Sequence, residues 1–359
     1  MRVGVSFLFN NAGDRITDQE LYRENLRVVD LIEPLGFDSA WAVEHHFTNY
    51  TICPDTIQFL TWVAARTEAI QLGTQVVVLP WHDPLRVAEQ VSLLDTMSQG
   101  RFLFGFGRGA ARVEFQGFRV PMEESRQRFV ESADMILTGL ESGYCEYDGA
   151  FIKQPRVPVR PAPFKSFKGR SYCAAVSPET MEIAARLGAG VLINPQKPWE
   201  KISEELATYR GRYRALQGKP PPAPVSTTYP FVHPDPEYAR ETVHRYMVPY
   251  YAAVLEHYEF SGTHFEEIQG YEFYRKMSRV MRKAGDEGAA KFFIDLQPWG
   301  TPDQVIAKML DVHKRVRYEH CNANFAFGHL PAAEAEQSMR LFAAEVLPVL
   351  KQIPAAAPA

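Results

Sequence analysis

Three short stretches of the chain carry side chains that could do chemistry. Glu44-His45-His46-Phe47 sets a carboxylate beside two imidazoles. Neighbouring residues of an extended strand face opposite sides, so one histidine should face the mouth of a site and the other the surrounding helices or loop. A mouth-facing imidazole could give a proton to a bound oxygen species or take one from it. A satisfied, hydrogen-bonded pair without catalysis is the plainer alternative. The second stretch places Phe102, Phe104 and Phe106 on one face of a strand and Leu103, Gly105, Gly107 and Gly109 on the other. The aromatic face should pack outward against helices. The glycine face should point inward, where missing side chains leave room for a ligand or for tight packing. Arg108 follows at the strand's end, a position suited to pairing with a phosphate. In the third stretch, Ser177-Pro178-Glu179-Thr180, the residue types describe a capped helix start. Its free N–H groups and two hydroxyls make an anion site.

Two rival readings of these stretches fail on spacing or position. GFGRGA approaches the dinucleotide fingerprint G-x-G-x-x-G, but its third glycine comes one residue early, on the fourth strand instead of the first. Gly300-Thr301-Pro302-Asp303-Gln304 is as well capped as the segment at Ser177, yet only Ser177 comes straight off a strand.

Strand-like and helix-like segments alternate along the chain and would position these groups. Strands are read at 2–9, 39–45, 71–79, 101–108, 171–176, 190–194, 225–233 and 322–328. Helices lie between them, with the longest near 18–34, 123–140, 198–217 and 236–258. A hairpin turning at Asp148-Gly149 interrupts the order after the fourth unit. Residues 261–298 are polar and charged, and read as a long connection that could form a lid. Eight strands separated by helices imply parallel βαβ units, hence a TIM barrel or a doubly wound sheet; eight repeats and a returning last helix favour the (β/α)8 barrel. One domain over 1–352 and a disordered tail at 353–359 are expected. In a barrel, chemistry sits at the C-terminal ends of the strands, where Glu44–His46, Arg108, Ser177 and Asn194 would gather.

Composition narrows the function. The net charge is −4 with no basic block, which argues against nucleic acid. No apolar run approaches the roughly 20 residues needed to span a bilayer, and the start of the chain lacks a signal-peptide pattern. The four cysteines form no CxxC pair. They read as free thiols in a reducing cytoplasm, with no metal site expected.

Several strings taken together resemble the flavin-dependent monooxygenases of the bacterial luciferase family. They are FDSAWAVEHHFTNY, LGTQVVVLPWHDPLRVAEQVSLLDTMSQGRFLFGFGRG and the later GTPDQ, in that order along nearly the whole chain. The resemblance implies a barrel that binds reduced FMN and, with O2, forms a flavin 4a-hydroperoxide that oxygenates a small apolar molecule such as an aldehyde, ketone or terpenoid. It makes His45 the catalytic base. Arg108, Ser177 and Thr180 become the phosphate site, and a non-proline cis peptide under the flavin ring falls at Gln75-Val76. Gly107 stands where the family has a cysteine, and Val176 where it has a glutamate, so only backbone contacts carry over there. Asn194, at the end of the sixth strand, joins the cofactor-binding set. Trp81, Phe7, Phe327 and Tyr229 are candidates for the substrate wall. A separate NAD(P)H-dependent reductase would supply the flavin, and a homodimer is the simplest assembly. A deazaflavin enzyme and a non-catalytic flavin-binding subunit are the rival readings.

Overall fold

The computed structural model of the chain describes residues 1–266, 268 and 270–354. Among these residues, eight parallel strands close into a barrel. They are β1 (Arg2–Phe7), β2 (Ser39–Ala42), β3 (Gln71–Thr74, resuming at Val77–Val78), β4 (Phe102–Gly107), β5 (Ser171–Ala174), β6 (Gly190–Ile193), β7 (Val225–Thr228) and β8 (His320–Ala323). Each pairs with its neighbour in sequence. β1 pairs with β8 through Val3 and Cys321, and β3 with β4 through Gly73 and Leu103, so the sheet has no free edge. This is the α/β TIM barrel expected.

The alternation in β4 sorts as its residue types require. Phe102, Phe104 and Phe106 are buried in the layer between barrel and helices, where Phe106 meets Phe129 with ring centroids 6.0 Å apart. Leu103 points inward and packs with Trp41, Tyr172, Leu192 and Val225. Gly105 is required by proximity, because a β-carbon there would lie 1.8 Å from the Thr74 carbonyl oxygen. The barrel is therefore filled with side chains at its lower end and left open above.

The outer ring contains α1 (Asp18–Ile32), α2 (Thr56–Ala64), α3 (Pro84–Met97), the short α4 (Arg112–Gly117), α5 (Ser125–Ser142), α6 (Pro178–Arg186) and α7 (Trp199–Gln217). It continues with α8 (Pro236–His257), α9 (Glu272–Leu296), α10 (Pro302–Val316), α11 (Ala332–Leu341) and α12 (Leu347–Lys351). The Thr301 hydroxyl caps α10 in a full capping box with Gln304.

Several expectations change; the strands read at 39–45 and 225–233, for instance, end at Ala42 and Thr228 in the barrel. The hairpin pairs Asp148 with Lys153, so its loop spans 149–152 instead of turning on Asp148-Gly149 alone. The strand read at 322–328 runs from His320 to Ala323, because its polar residues are paired on both sides inside the sheet. The stretch at 261–298 is mostly the helix α9, not a loop; Met277, Ala289, Ala290, Phe293 and Ile294 form its buried face, and Gly285 (φ 70°) kinks it. Ile353, assigned to the tail, packs on the core and accepts a hydrogen bond from the Met1 ammonium at 2.7 Å. Residues 355–359 of that tail lie outside the described residues.

Candidate functional site

A cavity of about 150 Å³ opens at the C-terminal ends of the strands. His45, Gln75, Val76, Gly107 and Arg108 line it on one side, and Val176, Ser177, Thr180 and Asn194 on the other. The catalytic and cofactor-binding residues expected from the sequence thus reach one space. Of the candidates for the substrate wall, Tyr229 lies on it, whereas Phe7, Trp81 and Phe327 do not. Phe7 packs outward on Phe59. Trp81 donates to Glu44 and packs its ring against Phe115 and Phe118. Phe327 faces a separate hollow behind β1 and β8.

At one end lies an anion-binding arrangement. The Ser177 side chain caps α6 by accepting from the Thr180 N–H at 3.2 Å, and the two hydroxyls lie 2.9 Å apart. The helix thus presents N–H groups and its positive dipole end to the cavity. Arg108 reaches in from the end of β4. It donates to the Gly270 carbonyl at 2.8 Å and lies 4.0 Å from the Tyr271 ring centroid. The segment that begins α9 therefore sits on this guanidinium. Arg126, which the sequence reading missed, pairs with Glu179 in the first turn of α6.

The floor is formed by the break in β3. The Gln75-Val76 bond is cis, where the resemblance put it. Gln75 turns into the barrel, donating to the Thr227 hydroxyl at 2.5 Å and accepting from Asn322 at 2.7 Å. Gly107 faces this break, and a β-carbon there would meet Val76 Cγ2 at 2.7 Å. The Asn194 Oδ1 atom is buried with no partner among the described residues.

The other end holds the acid–base groups. After β2 the chain leaves regular pairing, and the alternation separates Glu44 and His46 from His45. His45 Nδ1 lies 2.9 Å from Glu114 Oε1 and 3.1 Å from His257 Nε2. Its Nε2 lies 3.3 Å from the Tyr258 hydroxyl. The His257 Nδ1 atom is 2.7 Å from the Thr48 hydroxyl. Burial opposes the charge on Glu114, but the nearby His45 charge and the hydrogen bond from His45 outweigh it and hold the carboxyl at about 2. Burial lowers the pKa of His257 and favours its neutral ring. Burial likewise pushes the Tyr50 phenol up to about 12 and Tyr258 well above its ordinary range, so both stay protonated.

One hydrogen scheme satisfies these distances with neutral rings. His45 Nδ1–H donates to Glu114, His257 Nδ1–H donates to Thr48, and Tyr258 O–H donates to His45 Nε2. The basic nitrogen of His45 then lies on the side of Tyr258, which shares the cavity wall with it. Sequence reasoning missed Glu114, His257 and Tyr258. Glu114 lies in a six-residue helix too short for a periodic pattern. His257 ends a helix whose buried face is otherwise mostly apolar, and that polar interruption was the available signal.

His46 belongs to a different cluster. Its Nε2 meets Glu44 Oε1 at 3.1 Å, joined there by Trp81 Nε1 and His82 Nε2 at 2.8 Å, while Val78 N–H donates to Glu44 Oε2 at 3.0 Å. Burial opposes the Glu44 charge, yet these donors hold its pKa at about 2.

Comparison with known proteins bears on the family and the fold. The family model for luciferase-like monooxygenases matches residues 1–319. The alkanal monooxygenase alpha chain of Photorhabdus luminescens is 26% identical, with 97% of each chain covered. The crystal structure of the monooxygenase RslO1 from Streptomyces bottropensis superposes with a TM-score of 0.82 at 27% identity, covering 97% of this chain and 99% of that one. The oxygenating constituent of 3,6-diketocamphane monooxygenase from Pseudomonas putida, solved in complex with FMN, shares the fold with a TM-score of 0.76 at 17% identity and 99% coverage of both chains.

Proposed function

Starting from the chain's membership of the luciferase-like monooxygenase family, enzymes that act with incorporation of oxygen, we propose that it takes reduced FMN and O2 to oxygenate a small apolar organic substrate such as an aldehyde, ketone or terpenoid. The observation that carries this reading is the convergence on one cavity of an anion-binding end and an imidazole backed by a buried carboxylate. The residues fit the cofactor. Gly107 lets the Val76 side chain at the β3 break lie against β4, and Asn194 Oδ1 offers a buried acceptor with no partner among the described residues.

Bound reduced FMN supplies the electrons that activate oxygen. Arg108, the Ser177 and Thr180 hydroxyls and the start of α6 would hold its phosphate. Gln75, Val76 and Gly107 would bound the ring, with Val176 contributing through its backbone. Arg108 must first exchange the Gly270 carbonyl for the phosphate. The free space of about 150 Å³ is below the roughly 300–1,000 Å³ of ordinary ligand pockets, so entry requires the start of α9 to move away. On its return Tyr274, together with Tyr258 and Phe260 on the same cavity wall, would exclude water. His45 Nε2 would take or return the reaction proton, with Glu114 fixing the ring tautomer.

The reading extends to the surroundings. All four cysteines are buried and free, in keeping with a reducing cytoplasm. No helix among the described residues is long and apolar enough to cross a membrane. Trp62, Leu93 and Met97 are exposed on α2 and α3 and would suit a homodimer. A separate NAD(P)H-dependent reductase would deliver reduced flavin to this single barrel domain.

An oxygen electrode with chemically reduced FMN tests the proposal. Substrate-dependent O2 uptake yielding one oxygenated product per O2, with little peroxide, is expected from a panel of aldehydes, ketones and terpenoids. Tighter binding of a reduced deazaflavin than of reduced FMN, or O2 uptake that no substrate redirects from peroxide, would overturn it.

A further inference from the structure

The acid–base end of the cavity has a second chemical capability. Three atoms able to serve as metal ligands converge there: His45 Nδ1, His257 Nε2 and Glu114 Oε1, with separations of 2.9, 3.1 and 3.6 Å. Four ligands set tetrahedrally at the usual zinc distances lie roughly 3.3–3.5 Å from one another. The three atoms come from separate elements, the loop after β2, α4 and the end of α8. All three residues are buried.

The hydrogen count makes this cluster unusual. In the tautomer that gives His257 Nδ1–H to Thr48 and leaves its Nε2 free as a ligand, a single hydrogen, the one on His45 Nδ1, serves both Glu114 and His257. A saturated hydrogen-bond network would not leave two acceptors facing one donor. The surroundings are those of a metal site's supporting shell. Thr48 fixes His257 with Nε2 inward, the His46 N–H holds Glu114 at 2.9 Å, and Tyr258 holds the far nitrogen of His45. His45 and Glu114 also line the cavity, which would leave the remaining coordination position open to water.

We propose that His45, Glu114 and His257 form a binding site for one divalent transition ion, Zn2+ in particular, and that its occupation switches off the oxygenase reaction. Two imidazoles and one carboxylate suit zinc and its neighbours and disfavour magnesium and calcium, which seek all-oxygen shells. Binding frees the lone pair on His45 Nδ1 by moving the ring hydrogen to Nε2. No net proton is lost from a neutral ring; the hydrogen that bridged Glu114 now points at Tyr258. Nε2 is the atom that the proposed function uses as a base, so the metal form cannot accept the reaction proton. The inhibitory half of this inference rests on that function, whereas the binding half does not.

The test begins with calorimetric titration of Zn2+ into the full-length chain, repeated with Co2+ while visible absorption is recorded. One equivalent should bind, and Co2+ should give the intense bands of a low-coordinate nitrogen–oxygen site. Glu114→Gln and His257→Gln should each weaken binding by ~100-fold or more. Thr48→Val should weaken it by ~10-fold. Circular dichroism confirms folding, and Thr48→Val retains every ligand should either direct variant unfold. Uptake that is absent, or unchanged in all three variants, overturns the site. FMN binding, read in the same samples by quenching of flavin fluorescence, separates the two ideas. Zinc uptake without FMN binding would sink the flavin reading and leave the metal site standing. FMN binding without zinc uptake would do the reverse. Loss of coupled O2 uptake on adding Zn2+, restored by a chelator, completes the expectation; full activity with zinc bound overturns the switch.

Discussion

Two buried carboxylates flank the same three-residue stretch, and they live different lives. Glu44 receives hydrogens from His46, Trp81, His82 and the Val78 backbone. Both of its oxygens are engaged, and the cluster ties the end of β2 to the far side of the break in β3. Glu114 shares the His45 hydrogen with His257, and its imidazole partner borders the cavity. Both carboxyls are held at about 2. A depressed pKa therefore does not distinguish structure from chemistry here. The distinction lies in saturation and access: the first charge is spent on holding backbone and rings in place, and the second leaves a basic nitrogen within reach of a ligand.

The largest separation between the two should appear in catalysis. His45→Ala should cut coupled oxygenation by ~10²–10⁴-fold, with O2 diverted to peroxide while FMN still binds. An unchanged product-to-peroxide ratio would remove His45 from the proton step. Stability should show the opposite ranking. Glu44→Ala strands four donors and should cost about 3–5 kcal/mol in denaturant unfolding. Glu114→Gln should cost about 1–2 kcal/mol yet impair coupling nearly as much as His45→Ala. Equal losses of stability would erase the contrast.

Acid should report on both carboxylates at once. Their folded pKa values lie below the ordinary 4.5, so the stability they contribute is fully present above pH 4.5. It is lost as pH falls from there toward 2. His82 is shifted upward, with burial opposing and the Glu44 hydrogen bond prevailing. Its contribution is therefore present below pH 6.5 and fades as pH rises through its folded value. In unfolding experiments run from pH 7 to pH 3, Glu44→Gln should flatten the acid limb. A variant as acid-sensitive as the native chain would place that dependence elsewhere.

At the anion end the effects should be smaller. Arg108→Ala removes one charge-assisted contact and should weaken FMN by ~10–100-fold, with riboflavin affected far less. Equal losses for both would locate the phosphate elsewhere. Smallest of all, Tyr258→Phe removes one hydrogen bond to His45 and should change the coupled rate by only severalfold.

The barrel was legible in the sequence because its signals are local. Each strand carries its own alternation, and β4 shows both its faces in six residues. The anion end was legible for the same reason, since Ser177, Thr180 and Arg108 announce themselves at strand ends. The family resemblance supplied what periodicity could not, including the cis bond at Gln75-Val76. What stayed hidden depends on distance along the chain. His257 lies 212 positions from the imidazole it touches, and no spacing rule joins them. Glu114 sits in a helix of six residues, below the length at which amphipathic patterning exists. The helix α9 was obscured by its glycines and exposed charges, although its apolar face is complete once folded.

The central claim is that Glu114 sets the tautomer of the imidazole that handles the reaction proton, while Glu44 serves the scaffold. Nitrogen-15 spectroscopy of histidine-labelled protein at neutral pH tests it most directly. The account predicts a protonated Nδ1 and a bare Nε2 for His45, with the balance shifting toward the other tautomer in Glu114→Gln and not in Glu44→Gln. A native His45 that carries its hydrogen on Nε2 would contradict it.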